Sequence, residues 1–539
     1  LEHSMNRWFF CRRTCKAILL LAVSLATGAA CAHEPMHMAM GEEPALGASA
    51  TFASDGRLWV VSAHDGHVLL RHSDDFGKTL SAPTMVNAVA EPVSTEGENR
   101  PKIALGRHGE IYVSWTRPLP APYTGFIRFA RSLDGGAHFA APLTVHHDRA
   151  AITHRFDALA VDARGDVLVA WIDKRDVVRA KTAGKSYPGA ALYYAWSDDR
   201  GASFHVERKL ADHSCECCRI ALAALPDGGI AAFFRAVYGD NIRDHAFAAL
   251  HAGDPAPTAV RATYTQWHIE GCPHQGPGLA VAADGTRHAV WFSARDDAPT
   301  IWYGQLDPGH APKHLLAVAT AGAAHADVAV AGTRVWIAWN QFAATGTQLM
   351  LRESSDGGAH FGAAQVVART GAAAGSPQLL VWKQQAYAAW NTASGFRLVA
   401  APAFAAPPQG LTAADVPALL RPPTHGVRII ALWALDCAYC EANLHALATL
   451  HAQHPEVEVV TVATDDVAWR NALEKRLRAA GAVDLPARAY ADAAPGRLDY
   501  LIDPHWGGET PRTLVIRADG SRAGISGELT PQRLRHLWH

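Results

Sequence analysis

Asp162-Ala-Arg-Gly-Asp-Val-Leu-Val-Ala-Trp171, followed by Ser197-Asp-Asp-Arg-Gly-Ala-Ser-Phe204, holds the pattern on which the fold turns. The first stretch is an Asp/Gly turn that feeds a short apolar strand ending in an aromatic residue. It recurs as ASDGRLWVVS (53–62), GRHGEIYVSW (106–115), LPDGGIAAFF (225–234), AADGTRHAVW (282–291), VAGTRVWIAW (330–339) and VWKQQAYAAW (381–390). The marking aromatics are Trp59, Trp115, Trp171, Phe234, Trp291, Trp339 and Trp390. A period of about 50–60 residues holds four short strands, with no helical pattern between them, which is how a β-propeller reads. The seven units predict seven blades, the last sheet being completed by N-terminal chain; six blades follow if an end unit is partial. The expected propeller covers residues 46–401.

The second stretch belongs to a motif of the form SxDxGxxF, present in four units. Its residues are Ser73, Asp75 and Gly77, Ser132, Asp134 and Gly136, Ser197, Asp199 and Gly201, and Ser354, Asp356 and Gly358. Leu80 replaces the aromatic in the first copy. Carboxylate and hydroxyl can cap the amides of a tight turn, glycine supplies positive φ, and the aromatic plugs the blade. The set resembles the Asp boxes of the sialidase, or bacterial neuraminidase repeat, superfamily. The resemblance implies a propeller with these boxes at outer turns, away from an active site. Sialidase chemistry needs three arginines, a Tyr–Glu pair, an acidic proton donor and an early Arg-Ile-Pro motif. Here Asn99-Arg100-Pro101 lacks the Ile and comes late, and no spacing demands such roles of Arg235, Arg243, Tyr238 and Asp244.

The propeller's cysteines fall in two places, each just before the first strand of a blade: Cys215, Cys217 and Cys218, then Cys272 with His274. Aligning the turns on Asp227 and Asp284 matches Cys215 with Cys272 and Cys217 with His274. Extended backward, the alignment places His154 and then Glu98 at the same rim position, so these groups are expected to converge on the central channel. In an extended backbone residues i and i+2 share a face, so Cys215 and Cys217 should point together and Cys218 elsewhere. Sulfur and imidazole suit a soft metal, copper(I) first and zinc second. Disulfides stapling neighbouring blades are the rival reading. No nucleotide or organic cofactor is indicated.

Residues 402–424 form an Ala/Pro-rich linker, after which strands and helices alternate through 425–539. An apolar run Val427–Leu432 leads to Cys437-Ala-Tyr-Cys440 at a helix start, and Thr510-Pro511 precedes a strand near the end. This combination resembles the thioredoxin superfamily, most closely the exported TlpA-type thiol–disulfide oxidoreductases. By resemblance Cys437 is the nucleophile, Cys440 the resolving thiol, and Pro511 is cis and faces them, with Thr510 backbone groups pairing with a client chain. A helix N-terminus stabilises a thiolate there. Asp436 departs from the family, most of which has Trp before the first cysteine. A carboxylate at that point opposes the thiolate.

The chain of 539 residues carries 49 basic and 51 acidic side chains, a formal charge of −2, which makes nucleic acid a poor partner. Hydrophobic residues make up 49 %, enough for a sizeable core. Residues 1–32 read as a short extension and a secretory signal: Arg7, Arg12, Arg13 and Lys16, an apolar stretch Ala17–Ala30, and cleavage after Ala30-Cys31-Ala32. A lipidated Cys31 is the alternative. The mature chain would then start in a Met/His-rich segment, 33–45, where His33, Met36, His37, Met38 and Met40 form a second candidate copper set. No later stretch reads as a transmembrane segment, so the expected location is the periplasm, an oxidising compartment.

These parts suggest an exported redox protein in which Cys437 and Cys440 serve the cysteine cluster of the propeller in copper handling or delivery. An upstream thiol donor and an exported metal-donor partner are implied. The alternative is a propeller that presents an external partner to the thioredoxin-like domain. A sialidase-like glycoside hydrolase comes third.

Overall fold

The computed structural model describes residues 46–534 apart from 255, 403–407, 455, 483, 484 and 531. The signal segment and the Met/His-rich set His33, Met36, His37, Met38 and Met40 lie outside the described residues. No described helix is long and apolar enough to cross a membrane.

Seven antiparallel sheets follow one another along the chain, at 49–85, 102–144, 154–214, 221–261, 278–319, 323–370 and 378–400. Each of the seven marking aromatics lies on the second strand of its sheet. Trp115, Trp171, Trp291, Trp339 and Trp390 are fully buried. The hydrophobic clusters explain why a ring forms. Each is shared by two consecutive sheets, and the series closes with Ala48, Ala50, Leu58 and Val60 of the first sheet against Leu380 and Ala389 of the last. No blade has a core of its own; burial is complete only when the circle is. This is a seven-bladed β-propeller.

Two expectations are corrected here, and one falls on residues that are not described. The last blade has three described strands; the chain before residue 46, expected to complete it, lies outside the described residues, and Ser49–Phe52 is the first strand of blade 1. Blades 7 and 1 are joined by the Ala50 amide donating to Gln378 Oε1 (3.0 Å) and by Phe52, Phe76, Trp382 and Tyr387 packed edge and face. A helix, Arg175–Thr182, interrupts blade 3 where no helical pattern was read. It starts because Asp173 accepts the Arg175 amide and side chain at 2.9 and 3.1 Å. The linker is shorter than 402–424, since Leu411, Val416, Leu419 and Leu420 are buried in the second domain.

That domain has a six-stranded mixed sheet in the order Gln409–Leu411, Ala487–Tyr490, Glu458–Asp466, Val427–Trp433, Arg512–Arg517, Arg522–Ser526. The first four strands are parallel and the last two antiparallel to their neighbours. Helices Cys440–Gln453 and Arg470–Ala479 cover one face, Val416–Leu419 and Pro495–Ile502 the other. Central strands buried on both faces need continuous apolar runs, which Val427–Trp433 supplies. The fold is thioredoxin-like.

The four Asp boxes close the turns between third and fourth strands. In the second, Ser132 Oγ donates to Asp134 Oδ1 (2.7 Å) and accepts the Gly136 amide (2.9 Å), while Asp134 Oδ1 accepts the His138 amide (3.0 Å). These amide and hydroxyl donors hold the box carboxylates below their ordinary range, Asp75 at about 2.

Candidate functional site

Two groups of cysteines form the candidate sites, on two different frameworks. In the propeller, the fourth strand of blade 3 ends at Ser214, whose neighbour Cys215 donates its amide to the Arg235 carbonyl (2.9 Å) on blade 4. The chain bends at Glu216 and Cys217 before entering blade 4. That bend overturns the expected alternation. Cys218 folds back to bring its sulfur 3.5 Å from that of Cys215, while Cys217 Sγ stands 3.8 Å from it on the same side. All three sulfurs lie within 4.8 Å of one another and are buried. Cys272, on the connection into blade 5, is exposed and shares a thiol hydrogen bond with Cys217. None of the four is in a disulfide.

Hydrogen bonds from the Cys217 and Cys218 thiols hold Cys215 well below the ordinary thiol range, with the charge of Arg235 adding to the effect. The same bonds push Cys217 and Cys218 up, because each keeps its proton pointed at Cys215. The cluster is therefore a set of mutually hydrogen-bonded cysteines in a buried, sulfur-lined niche. A soft cation entering it would displace the remaining protons.

The other residues expected at this site are placed differently. His274 is exposed with a left-handed backbone (φ 51°), which breaks the i, i+2 relation to Cys272, and its ring is not among the clustered ligand atoms. His154 is buried in blade 3, stacked on His146 at 3.9 Å, with Nδ1 donating to the Gly125 carbonyl (3.0 Å) and Nε2 3.6 Å from Asp173. It does not join the sulfurs. Glu98 does reach the axis, where it meets Arg219 and His325, each at 3.5 Å, and accepts the Gly276 amide at 2.7 Å. Burial opposes its charge, yet Arg219 and His325 hold its carboxyl down at about 2.

Arg235 and Arg243, weighed in the sequence only as sialidase candidates, flank the thiols. Arg243 Nη1 points at Cys215 Sγ (3.8 Å). Arg235 is fully buried and donates Nη2 to the Gln275 and Phe292 carbonyls, both at 2.9 Å. Asp244 is taken up by Arg261, Thr265 and the Thr265 amide, and Tyr238 lies under Arg261 at 4.6 Å. Arg100 donates to the Ser376 carbonyl (2.7 Å).

In the second domain, strand Val427–Trp433 runs into a loop that carries Cys437 and Cys440, joined as a disulfide at the start of helix Cys440–Gln453. The Leu435 amide donates to Asp465 (2.9 Å) and its carbonyl accepts from Arg476 (2.9 Å), which fixes the approach to Cys437. The Thr510–Pro511 bond is cis. Antiparallel pairing of Leu432 with Arg512 sets Pro511 beside Trp433, at the strand end from which the cysteine loop departs. Tyr439, between the two cysteines, is 65 % exposed, and Asp436 is exposed as well.

The two frameworks meet at the helix Arg470–Ala479. Buried Glu474 accepts the backbone amide of Ala363 (3.1 Å) on blade 6. Ala363 lies in the turn between third and fourth strands, whereas the propeller cysteines lie in connections between blades. In antiparallel four-stranded blades these are opposite ends.

No known protein family matches the chain, and no curated protein does. Solved structures give three likenesses. An ulvan lyase of a new family of polysaccharide lyases is 11 % identical with a TM-score of 0.43, covering 65 % of this chain and 91 % of its own. A Hadza microbial sialidase is 13 % identical, TM-score 0.38, covering 64 % and 76 %. A secreted Mycobacterium tuberculosis disulfide oxidoreductase, described as homologous to E. coli DsbE, is 20 % identical, TM-score 0.17, covering 21 % and 78 %. These are likenesses of fold. The sheets, Asp boxes and cysteine loop described above define the class: a sialidase-like seven-bladed propeller followed by a thioredoxin-like domain.

Proposed function

We propose that this protein is an exported thiol–disulfide oxidoreductase whose propeller carries a soft-metal thiolate site, with a role in metal handling or delivery. The observation that carries this reading is the sulfur cluster: three buried cysteine sulfurs within 4.8 Å of one another, with Cys272 at the edge. An all-sulfur donor set of this size suits copper(I) first and zinc second. Cys215, Cys217 and Cys218 would hold the ion, with the exposed Cys272 at the edge of the site and not among its ligands.

The redox arm works by exchange. In the reduced state the Cys437 thiolate attacks a client disulfide, releasing one client thiolate and forming a mixed disulfide. Cys440 then attacks Cys437, which frees the second client thiol and regenerates the Cys437–Cys440 bond, two electrons having passed to the client. An upstream dithiol must restore the reduced state. The contact between Glu474 and Ala363 favours a client outside this copy of the chain, because it docks the domain at the end of the propeller remote from the cysteine cluster.

Two measurements test the proposal. Reduced protein titrated anaerobically with copper(I) against a chromophoric chelator is expected to bind about one ion per chain, and Cys217→Ser to abolish it. Failure of the reduced wild type to bind overturns the metal reading. Cys440→Ser is expected to trap a mixed disulfide with another polypeptide. An adduct within the chain to Cys217 or Cys272 would restore the intramolecular reading, and failure to exchange with any disulfide would overturn the redox assignment.

A further inference from the structure

Arg235 and Arg243 are unusual cations. Arg235 is 1 % exposed, and its hydrogen bonds go to two backbone carbonyls; its face lies over Trp267 at 5.2 Å. Its Nε and Nη1 are buried and find no hydrogen-bond partner. Arg243 is buried too, donating to Cys215 Sγ at 3.8 Å and Asn241 Oδ1 at 3.5 Å, with Nε unpartnered. Neither guanidinium pairs with a carboxylate among the described residues. The nearby acids are engaged elsewhere, Glu216 with Lys174 and Asp244 with Arg261. Two positive charges are thus held beside the thiols with no carboxylate among the described residues paired to them, which burial makes costly unless anionic sulfur completes the site.

We infer that Arg235 and Arg243 set the charge of the ion that the cysteine cluster accepts, selecting a univalent soft cation over a divalent one. The inference rests on the proposed metal site and adds its selectivity. Three thiolates carry three negative charges, and a univalent ion leaves two, which the two guanidiniums balance. A divalent ion at the same three sulfurs leaves one buried positive charge in excess. Cys272 does not alter the count, because it is exposed and its charge is met by water. Each sulfur–metal bond formed sends any proton on that sulfur to solvent, so no redox step is involved. The arginines act through the thiolates as positioning residues and do not touch the ion.

The test compares two affinities in one protein. Reduced full-length chain, wild type and R243M, is titrated anaerobically with copper(I) and separately with zinc(II), each against a chromophoric competitor. The ratio of copper(I) to zinc(II) affinity is expected to fall about tenfold or more in R243M, because a charge a few ångströms from the sulfurs is removed in a poorly screened site. R243K, which keeps the charge, is expected to restore most of the ratio. R235M should act in the same direction where circular dichroism shows it folded, and R243M carries the test without it. An unchanged ratio in R243M, or a ratio that falls equally in R243K, overturns the selectivity while leaving the metal site standing. Wild-type protein that takes up neither ion instead overturns the metal site itself.

Discussion

The Glu474 carboxylate of the thioredoxin-like domain accepts the backbone amide of Ala363 on blade 6 at 3.1 Å, and it is buried while doing so. Arg352, Arg470 and Arg478 lie near enough to favour its charge, but burial outweighs them and pushes the carboxyl above its ordinary value of 4.5. The docked state therefore binds the proton more tightly than the undocked one. Docking is strongest below pH 4.5 and weakens as the pH rises through the raised value. Glu474→Gln removes the charge and keeps an acceptor, so its docking is expected to be as tight and insensitive to pH. Small-angle scattering of the two proteins between pH 4.5 and 8 checks this. A wild type whose dimensions do not change while the variant's do would contradict it.

Gly358 closes the fourth Asp box with φ of +82°, and a Cβ built there would collide with Tyr303 Oη. Tyr303 is fully buried and bonded to His288 (2.7 Å), so it has nowhere to go. Gly358→Ala is expected to cost about 1–3 kcal/mol from overpacking alone, with further loss from the left-handed backbone. Urea unfolding of wild type and variant gives the difference directly.

Asp436 precedes Cys437, the proposed nucleophile, and is exposed, so its charge acts on Cys437 through water. Asp436→Asn is expected to lower the pH midpoint for alkylation of reduced Cys437 by about half a unit, the size of a screened charge at short range. Exchange with a model disulfide at pH 7 should quicken correspondingly. A rate that falls would show that the carboxylate instead helps by attracting a cationic client.

How far these features were legible from sequence depends on how many chain segments each requires. The marking tryptophans and the Cys437–Cys440 loop are local patterns, and both reappear where expected: each aromatic on a second strand, the cysteines at a helix start beside a cis Pro511. The propeller thiols were legible as a group but not in their arrangement. Cys218 turns inward through a bend at Glu216 and Cys217 that no alternation rule contains. The place of the flanking arginines was not legible because it depends on pairing between distant segments: the Ser214–Ala236 bridge and the Cys215 amide on the Arg235 carbonyl set Arg235 beside the cysteine turn. His154 starts the first strand of blade 3, but its ring stacks on His146, from the connection between blades 2 and 3, and not on the sulfurs.

That pair supplies the last prediction. His146 and His154 stack at 3.9 Å in a buried site, His146 accepting the Ile127 amide at 3.1 Å through Nε2. Burial, and then the neighbouring ring, pull the His146 pKa down to about 3. The folded state thus refuses a proton that the unfolded chain accepts near 6.5. Stability from this site is fully present above pH 6.5 and is lost as the pH falls from there toward 3, at about 1.4 kcal/mol per pH unit for a single histidine. His154 is lowered too, burial being opposed by Asp173, and adds in the same direction. His146→Gln removes one titrating ring and leaves an acceptor for Ile127. Its urea midpoint is expected to fall at pH 8 through lost stacking, yet to decline less steeply than wild type between pH 6.5 and 4.5. Parallel slopes would mean that the acid sensitivity of the propeller lies elsewhere.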